Sequence, residues 1–264
     1  MKTLGKTAFA ALLFAVLFAF RQDVPPRLRL FLLIGQSNMA GRGTPDAESE
    51  QVHPRIWMLT KAETWVPARD PMHFDKPAVI GVGPGLAFAK RLADAYPEEN
   101  FGLVPCAVGG SGIDVWQPGA YYEPTNSYPY DDALRRAKKA LENGRLAGFL
   151  WHQGESDSNP AKTTVYGDKL VALVQRFRTD LNAPDVPFVV GTLGDFVVSR
   201  NPDAGVINET LQKTVKTIPN AYCVLAEGLV HKGDSTHFDT PSARTLGQRY
   251  ADVFINQKLL KTSP

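Results

Sequence analysis

A three-layer α/β/α sandwich around a mainly parallel sheet is the fold this sequence predicts, on three observations. Its strand-like segments are short, continuously apolar runs, as expected of strands buried on both faces. They alternate with segments of helical periodicity, the order that builds a parallel sheet from crossover units. The length, 264 residues with 44% hydrophobic and 21% charged, suits one α/β domain with a single large core.

The chain opens on a different composition. Lys2 and Lys6 precede the apolar run 7–20, the basic start and short apolar segment of a secretory signal, and short for a membrane span. Leu17-Phe18-Ala19 is a weak cleavage pattern. Residues 1–24 are therefore expected to be a signal peptide or a retained N-terminal anchor, and the protein to be secreted or periplasmic. Residues 25–264 remain for the domain.

Val24-Pro25-Pro26 reads as a linker, and the first strand as 29–35. Phe31, Leu32, Leu33 and Ile34 stop at Gly35, and Gln36, Ser37 and Asn38 follow, with Gly41, Arg42 and Gly43. Residues 44–80 hold five prolines and one strand-like piece, 55–59, and are expected to pass over the carboxyl edge of the sheet. A helix is expected at 84–96, with Pro84 in its first turn. A buried strand at 101–108 follows, ending in Gly109-Gly110-Ser111-Gly112. The helix at 131–143 carries Arg135, Arg136, Lys138 and Lys139, read as a solvated face, and Gly144 is its stop. The strand at 146–151 ends in His152-Gln153-Gly154-Glu155-Ser156-Asp157. Then come a helix at 164–181, a strand at 187–192, a helix at 203–218, a strand at 221–225, a polar loop at 231–239 and a helix at 241–260.

Cys106 and Cys223 lie in strand-like runs and are expected as buried thiols rather than a bridge. A net charge of +2 with no basic run excludes a nucleic-acid partner. No HExxH, cysteine cluster, GxGxxG or Walker A pattern occurs, so no metal site and no cofactor are expected. The GxSxG elbow of ordinary α/β-hydrolases is also missing.

In a parallel sheet the carboxyl ends of all strands share one edge, so the polar turns at 35–43, 109–112, 152–157 and 231–239 can converge. Ser37 has two readings on its own turn, a nucleophile or a cap for the following helix. Asp234-Ser235-Thr236-His237 supplies what the first needs. An Asp three residues before a His can hold the imidazole Nδ1 and leave Nε2 as base for the serine. Oxyanion donors are available from the N–H of Ser37, the N–H of Gly110 in an otherwise ordinary glycine turn, and the side chain of Gln153.

Gly35-Gln36-Ser37-Asn38-Met39, Gly109-Gly110-Ser111 with Trp116, Trp151-His152-Gln153-Gly154-Glu155 and Asp234-Ser235-Thr236-His237-Phe238 resemble the successive blocks of the SGNH hydrolase superfamily. More narrowly they are similar to the sialate O-acetylesterase domain and carbohydrate esterase family six, which includes acetylxylan esterases. The similarity runs over about 29–257. It implies the SGNH hydrolase fold with its flavodoxin-like sheet, Ser37 as nucleophile, His237 as base, Asp234 as its orienter, and oxyanion donors at Ser37, Gly110 and Gln153. Gln153 stands where the wider superfamily carries Asn. Gln36, Asn38, Arg42, Gly109 and Glu155 are expected as supporting residues, Glu155 bracing the Ser37 turn or assisting the histidine.

The expected activity is hydrolysis of acetyl esters on a carbohydrate substrate through an acetyl-enzyme. Trp116 and Tyr121, with Trp65 and Tyr122, are loop aromatics expected to stack on sugar rings. Two rival readings remain open: the same triad acting on another small ester, lipid or thioester, and a non-catalytic glycan-binding module.

Overall fold

The computed structural model describes residues 27–260. The expected signal or anchor segment, 1–24, lies outside the described residues.

One seven-stranded sheet runs through the domain in the order β3-β2-β4-β1-β5-β6-β7. Its strands are β1 (Leu28–Gly35), β2 (Ile56–Leu59), β3 (Trp65–Pro67), β4 (Phe101–Pro105), β5 (Gly144–His152), β6 (Phe188–Gly191) and β7 (Ala221–Val224). All neighbours pair parallel except β2 and β3, an antiparallel hairpin at the edge. Without that hairpin the strands stand in the doubly wound order of the flavodoxin type. β1 lies at the point where successive connections diverge, the usual place for a ligand crevice.

The helices are α1 (Ser37–Ala40), α2 (Pro84–Ala95), α3 (Pro129–Ala140), α4 (Pro160–Asp180), α5 (Asp195–Arg200), α6 (Asp203–Thr214) and α7 (Thr240–Asn256). Two apolar cores flank the sheet, and β1 feeds both by simple alternation. Leu30, Leu32 and Ile34 enter the core under α3, α4 and α6, while Phe31 and Leu33 enter the core under α2 and α7. That is why β1 reads as an unbroken apolar run.

Boundaries moved where caps and prolines decide them. α4 starts four residues before its apolar pattern, because Asn159 caps it through the N–H of Lys162 and Pro160 takes the first position. α7 is capped in the same way by Asp239 and the N–H of Ser242. β4 ends its ladder at Pro105, yet the N–H groups of Cys106 and Val108 still donate to Leu33 and Gly35 of β1, each at 2.9 Å. The predicted strand at 101–108 therefore follows β1 along its whole length. β3 and α5 are too short to leave a periodic signal.

Two expectations fail here for physical reasons. Arg136 is buried, not solvated; its guanidinium donates to the carbonyls of Leu59, Thr60 and Pro105 and lies 4.6 Å over the Phe74 ring. A planar cation with several donors can satisfy strand-end carbonyls that no backbone N–H reaches. Trp65 pairs with Leu59 at the carboxyl end of β2, and its indole runs back against Gly102 and donates to Asn143 Oδ1 at 3.1 Å, by the amino ends of β4 and β5. The indole is on the opposite edge from Ser37. Both cysteines are free thiols, Cys106 buried and Cys223 half-buried, and burial pushes them up to about 11 and about 12.

Candidate active site

The turn after β1 is built on Gly35. Its φ is +122°, and a Cβ there would stand 2.2 Å from the carbonyl oxygen of His152, so only glycine lets β1 turn this close to β5. Gln36 N–H then donates to that carbonyl at 2.9 Å, and α1 begins at Ser37. Met39 and Ala40 donate back to Gln36 O, and Gly41 donates to Ser37 O. Among the described residues the N–H groups of Ser37 and Asn38 are the unspent donors of this first turn. Ser37 does not cap α1: Gln36 holds the cap position, and Ser37 Oγ lies 3.0 Å from His237 Nε2.

His237 comes from the loop after β7. That loop folds back on itself through Lys232 N–H to His237 O at 2.9 Å and Asp239 N–H to Val230 O at 3.1 Å. Asp234 Oδ1 accepts from the N–H groups of Thr236 and His237 at 2.9 and 2.8 Å, while Oδ2 meets His237 Nδ1 at 2.7 Å. His231 Nδ1 accepts from Gly233 and Ser235 N–H and fixes the tip of the same turn. Burial works to raise the Asp234 carboxyl, but the backbone and ring N–H groups of His237 and the N–H of Thr236 outweigh it, holding it at about 2. An ionised carboxylate only accepts, so the neutral imidazole carries its proton on Nδ1 and offers the Nε2 lone pair to Ser37. Burial lowers the His237 pKa; Asp234 draws it up, and Arg42 and Lys232 push it down, leaving it below the usual value of 6.5.

Asn38 joins the two turns. Its Nδ2 group donates to Thr236 O at 3.0 Å and to Glu155 Oε1 at 2.6 Å, and its Oδ1 accepts from Phe238 N–H at 3.1 Å. The residues on both sides of His237 are thus tied to the residue after Ser37. Glu155 braces Asn38 and makes no contact with the imidazole among its hydrogen bonds; burial raises its pKa against the pull of Asn38.

On the other side of Ser37, Arg42 and Asp75 form a buried ion pair at 2.7 Å. Asp75 Oδ2 also accepts from Gly109 N–H at 2.8 Å, so the pair holds the glycine turn after β4 against the α1 turn. Gly110 has φ of +83°, and its N–H has no acceptor among the described residues. Two unspent backbone donors, on Ser37 and Gly110, therefore belong to turns at neighbouring strand ends.

Gln153 is placed differently from its expected role. Its Nε2 group has two hydrogens and three acceptors: Gln36 Oε1 and Ser111 O at 3.1 Å and Asp157 Oδ2 at 2.5 Å. Tyr166 donates to its Oε1 at 2.8 Å. The amide is spent on a buried network that fixes the Gln36, Ser111 and Asp157 turns to one another, and no donor is left over for an oxyanion. Trp116 is also corrected. It is 1% exposed, edge-on to Trp151 at 5.2 Å, and donates to Ser111 Oγ at 3.0 Å, so it is core and cannot stack on a sugar. Tyr121 is exposed but packs on Tyr128 and donates to Asn126. Its neighbour Tyr122 is the one that reaches Gly110, with its hydroxyl 2.9 Å from where a Cβ on that glycine would stand. Asp75 and His231 were not singled out from the sequence, since neither lies in a recognisable motif. No group of three or more His, Cys, Asp or Glu is placed to hold a metal among the described residues.

The chain is similar to known carbohydrate esterases. Residues 27–256 match the family model described as carbohydrate esterase, sialic acid-specific acetylesterase. A protein of Arabidopsis thaliana described as a "probable carbohydrate esterase" is 30% identical over 89% of this chain and 93% of its own length. The crystal structure of that protein superposes with a TM-score of 0.76 over 88% of this chain and 99% of its own. The crystal structure of NanS superposes with a TM-score of 0.72 at 20% identity, covering 89% of this chain and 98% of that one. A carbohydrate acetylesterase from Xanthomonas citri gives 0.65 at 19% identity, covering 86% of this chain and 55% of that one. The last two speak to the fold.

Proposed function

The chain belongs to the sialic acid-specific acetylesterase family of carbohydrate esterases, and from that membership we propose that it removes O-acetyl groups from sugars with Ser37 as nucleophile. The observation that carries this reading is the unbroken relay from Asp234 Oδ2 through His237 to Ser37 Oγ, at 2.7 and 3.0 Å. Ser37 Oγ attacks the acetyl carbonyl carbon while His237 Nε2 takes its proton. The carbonyl oxygen becomes an oxyanion, stabilised by the N–H groups of Ser37 and Gly110. Collapse breaks the bond to the sugar oxygen, which takes the proton back from His237 and leaves as the hydroxyl. Water then attacks the acetyl-Ser37 ester while His237 takes its proton; the acyl–Oγ bond breaks, Oγ takes that proton back from His237, and acetic acid departs and ionises to acetate. Asp234 stays ionised throughout, orienting the imidazole and stabilising its protonated form. Export through the 1–24 segment is part of the same proposal, and N-terminal sequencing of protein recovered outside the cytoplasm tests it.

The deciding experiment is acetate release from 4-nitrophenyl acetate and from acetylated sugars by wild type and Ser37→Ala. The expected loss in kcat is about a thousandfold or more, with the folded state intact. Equal rates would refute the serine mechanism. Tight sugar binding with no hydrolysis by either protein would favour the glycan-binding module.

A further inference from the structure

The oxyanion donor on Gly110 sits in a turn whose two ends are held by side chains the relay does not use. The turn at 108–111 closes through Ser111 N–H to Val108 O at 3.2 Å, and φ of +83° at Gly110, its third position, is that of a type II turn. The central peptide joins the carbonyl of Gly109 to the N–H of Gly110. Among the described residues this peptide makes no hydrogen bond of its own, so nothing bonded to it fixes where the N–H stands. Its two flanking peptides are both engaged. Before it, Gly109 N–H donates to Asp75 Oδ2 at 2.8 Å; after it, Gly110 O accepts from Ser156 Oγ at 2.9 Å.

Each anchor is itself tied to the turn that carries Ser37. Asp75 Oδ2 also accepts from Arg42 at 2.7 Å, just past α1. Ser156 donates its own N–H to Gln36 Oε1 at 3.3 Å, and the same oxygen accepts from Gln153 Nε2 at 3.1 Å. The nucleophile turn thus reaches the oxyanion turn twice, through Arg42 and Asp75 at the Gly109 end and through Gln36 and Ser156 at the Gly110 end. A planar peptide pivots on its two Cα atoms, and the two anchors hold those pivots in place. Asp75 does so from a buried ion pair, whereas Ser156 is half-buried and contributes a single hydroxyl.

We propose that Ser156 is a positioning residue of the reaction: together with Asp75 it sets the Gly109–Gly110 peptide so that the Gly110 N–H meets the oxyanion formed at Ser37. This rests on the esterase reading. Neither side chain touches a reacting atom, and the Ser156 hydroxyl keeps its hydrogen on Gly110 O throughout. A donor held in place before charge develops needs no reorganisation when the oxyanion forms. Removing such a donor outright costs about a hundredfold to a thousandfold in rate, and loosening it costs part of that.

The test is steady-state hydrolysis of 4-nitrophenyl acetate by the full-length protein, paired with inhibition by methylboronic acid. Boron takes the Ser37 Oγ lone pair as His237 takes the hydroxyl proton, and the tetrahedral adduct sets an oxygen where the oxyanion stands. Ser156→Ala should lower kcat about tenfold, leave KM within about threefold, and weaken methylboronic acid by about the factor lost in kcat. Its Tm should stay within about 4 °C of wild type, since one hydrogen bond is lost. Ser156→Thr keeps the hydroxyl and should recover most of the rate. Ser156→Ala/Asp75→Asn, which weakens both anchors, should fall about a hundredfold. If that double variant does not fold, because Arg42 then lacks its counter-ion, the Ser156 variants decide alone. A kcat within about twofold of wild type in Ser156→Ala, a rise in KM at constant kcat, or an unchanged affinity for methylboronic acid would overturn the proposal. A failed esterase reading would show separately, in acetate release that Ser37→Ala leaves intact.

Discussion

Asn38 makes a sharper test of the site than the triad residues, because it touches no reacting atom yet should control where His237 stands. Asn38→Ala removes three hydrogen bonds at once: to Thr236 O, from Phe238 N–H and to Glu155 Oε1. Phe238 is 2% exposed, so its N–H is left buried without an acceptor, a loss of roughly 1–3 kcal/mol. Glu155 escapes most of its share, since burial already raises its pKa and it can take a proton. We therefore expect a destabilisation of about 2–4 kcal/mol, read as a fall in Tm of roughly 5–15 °C for a domain of this size. The catalytic effect is larger than the stability effect suggests. His237 loses the anchors on both sides of it, and a displacement near 1 Å costs about a hundredfold in rate. The assay is steady-state hydrolysis of 4-nitrophenyl acetate well below the variant's Tm. The expected pattern is a fall in kcat of about a hundredfold with little change in KM, because binding and positioning are separate. A variant within threefold of wild-type kcat would refute Asn38 as the link between the turns. A KM rise at constant kcat would make it a substrate contact instead.

Three other outcomes follow from the same geometry. His237 acts as a base only when neutral, and its pKa is lowered, so kcat/KM should hold level from neutral pH down through 6.5 and fall only below it; an inflection above 6.5 would contradict the environment described. Gly110→Ala must hold φ near +83° and meet Tyr122 Oη at 2.9 Å, so kcat should drop about tenfold to a hundredfold. Removing that oxygen with Tyr122→Phe should recover part of the loss, and a double variant no better than the single one would argue against this contact. Trp116→Ala should cost about 3–5 kcal/mol in denaturant unfolding. Unchanged stability with a raised KM would return Trp116 to the sugar-stacking role expected from the sequence.

How legible each part was depends on how local its determinants are. The strands were readable because burial on both faces makes them continuously apolar, β1 most of all. The Asp234 to His237 arrangement was readable because three residues bring the carboxylate to the ring, and the loop needs only its own backbone N–H groups to hold it. Arg42 was legible as part of a motif but not as a function, because its partner Asp75 lies in a proline-rich excursion 33 residues on. Gln153 shows the limit most clearly. A strand-end amide in a converging site is a reasonable oxyanion donor, and its one nearby acceptor, Asp157, leaves it a hydrogen to spare. What spends its hydrogens is Gln36, 117 residues away, and Ser111 O, 42 residues away, besides the nearby Asp157. An amide has only two hydrogens, so whether it serves substrate or scaffold is settled by which acceptors the fold brings to it. The same reasoning separates Trp116 from Tyr122. Both were loop aromatics by sequence, but Ser111 Oγ and Trp151 draw the first into the core, and the turn at 122–127 holds the second over Gly110. A polar or aromatic side chain at a strand end is thus a candidate by its position, and the acceptors and rings contributed by distant strands decide which candidates face the substrate.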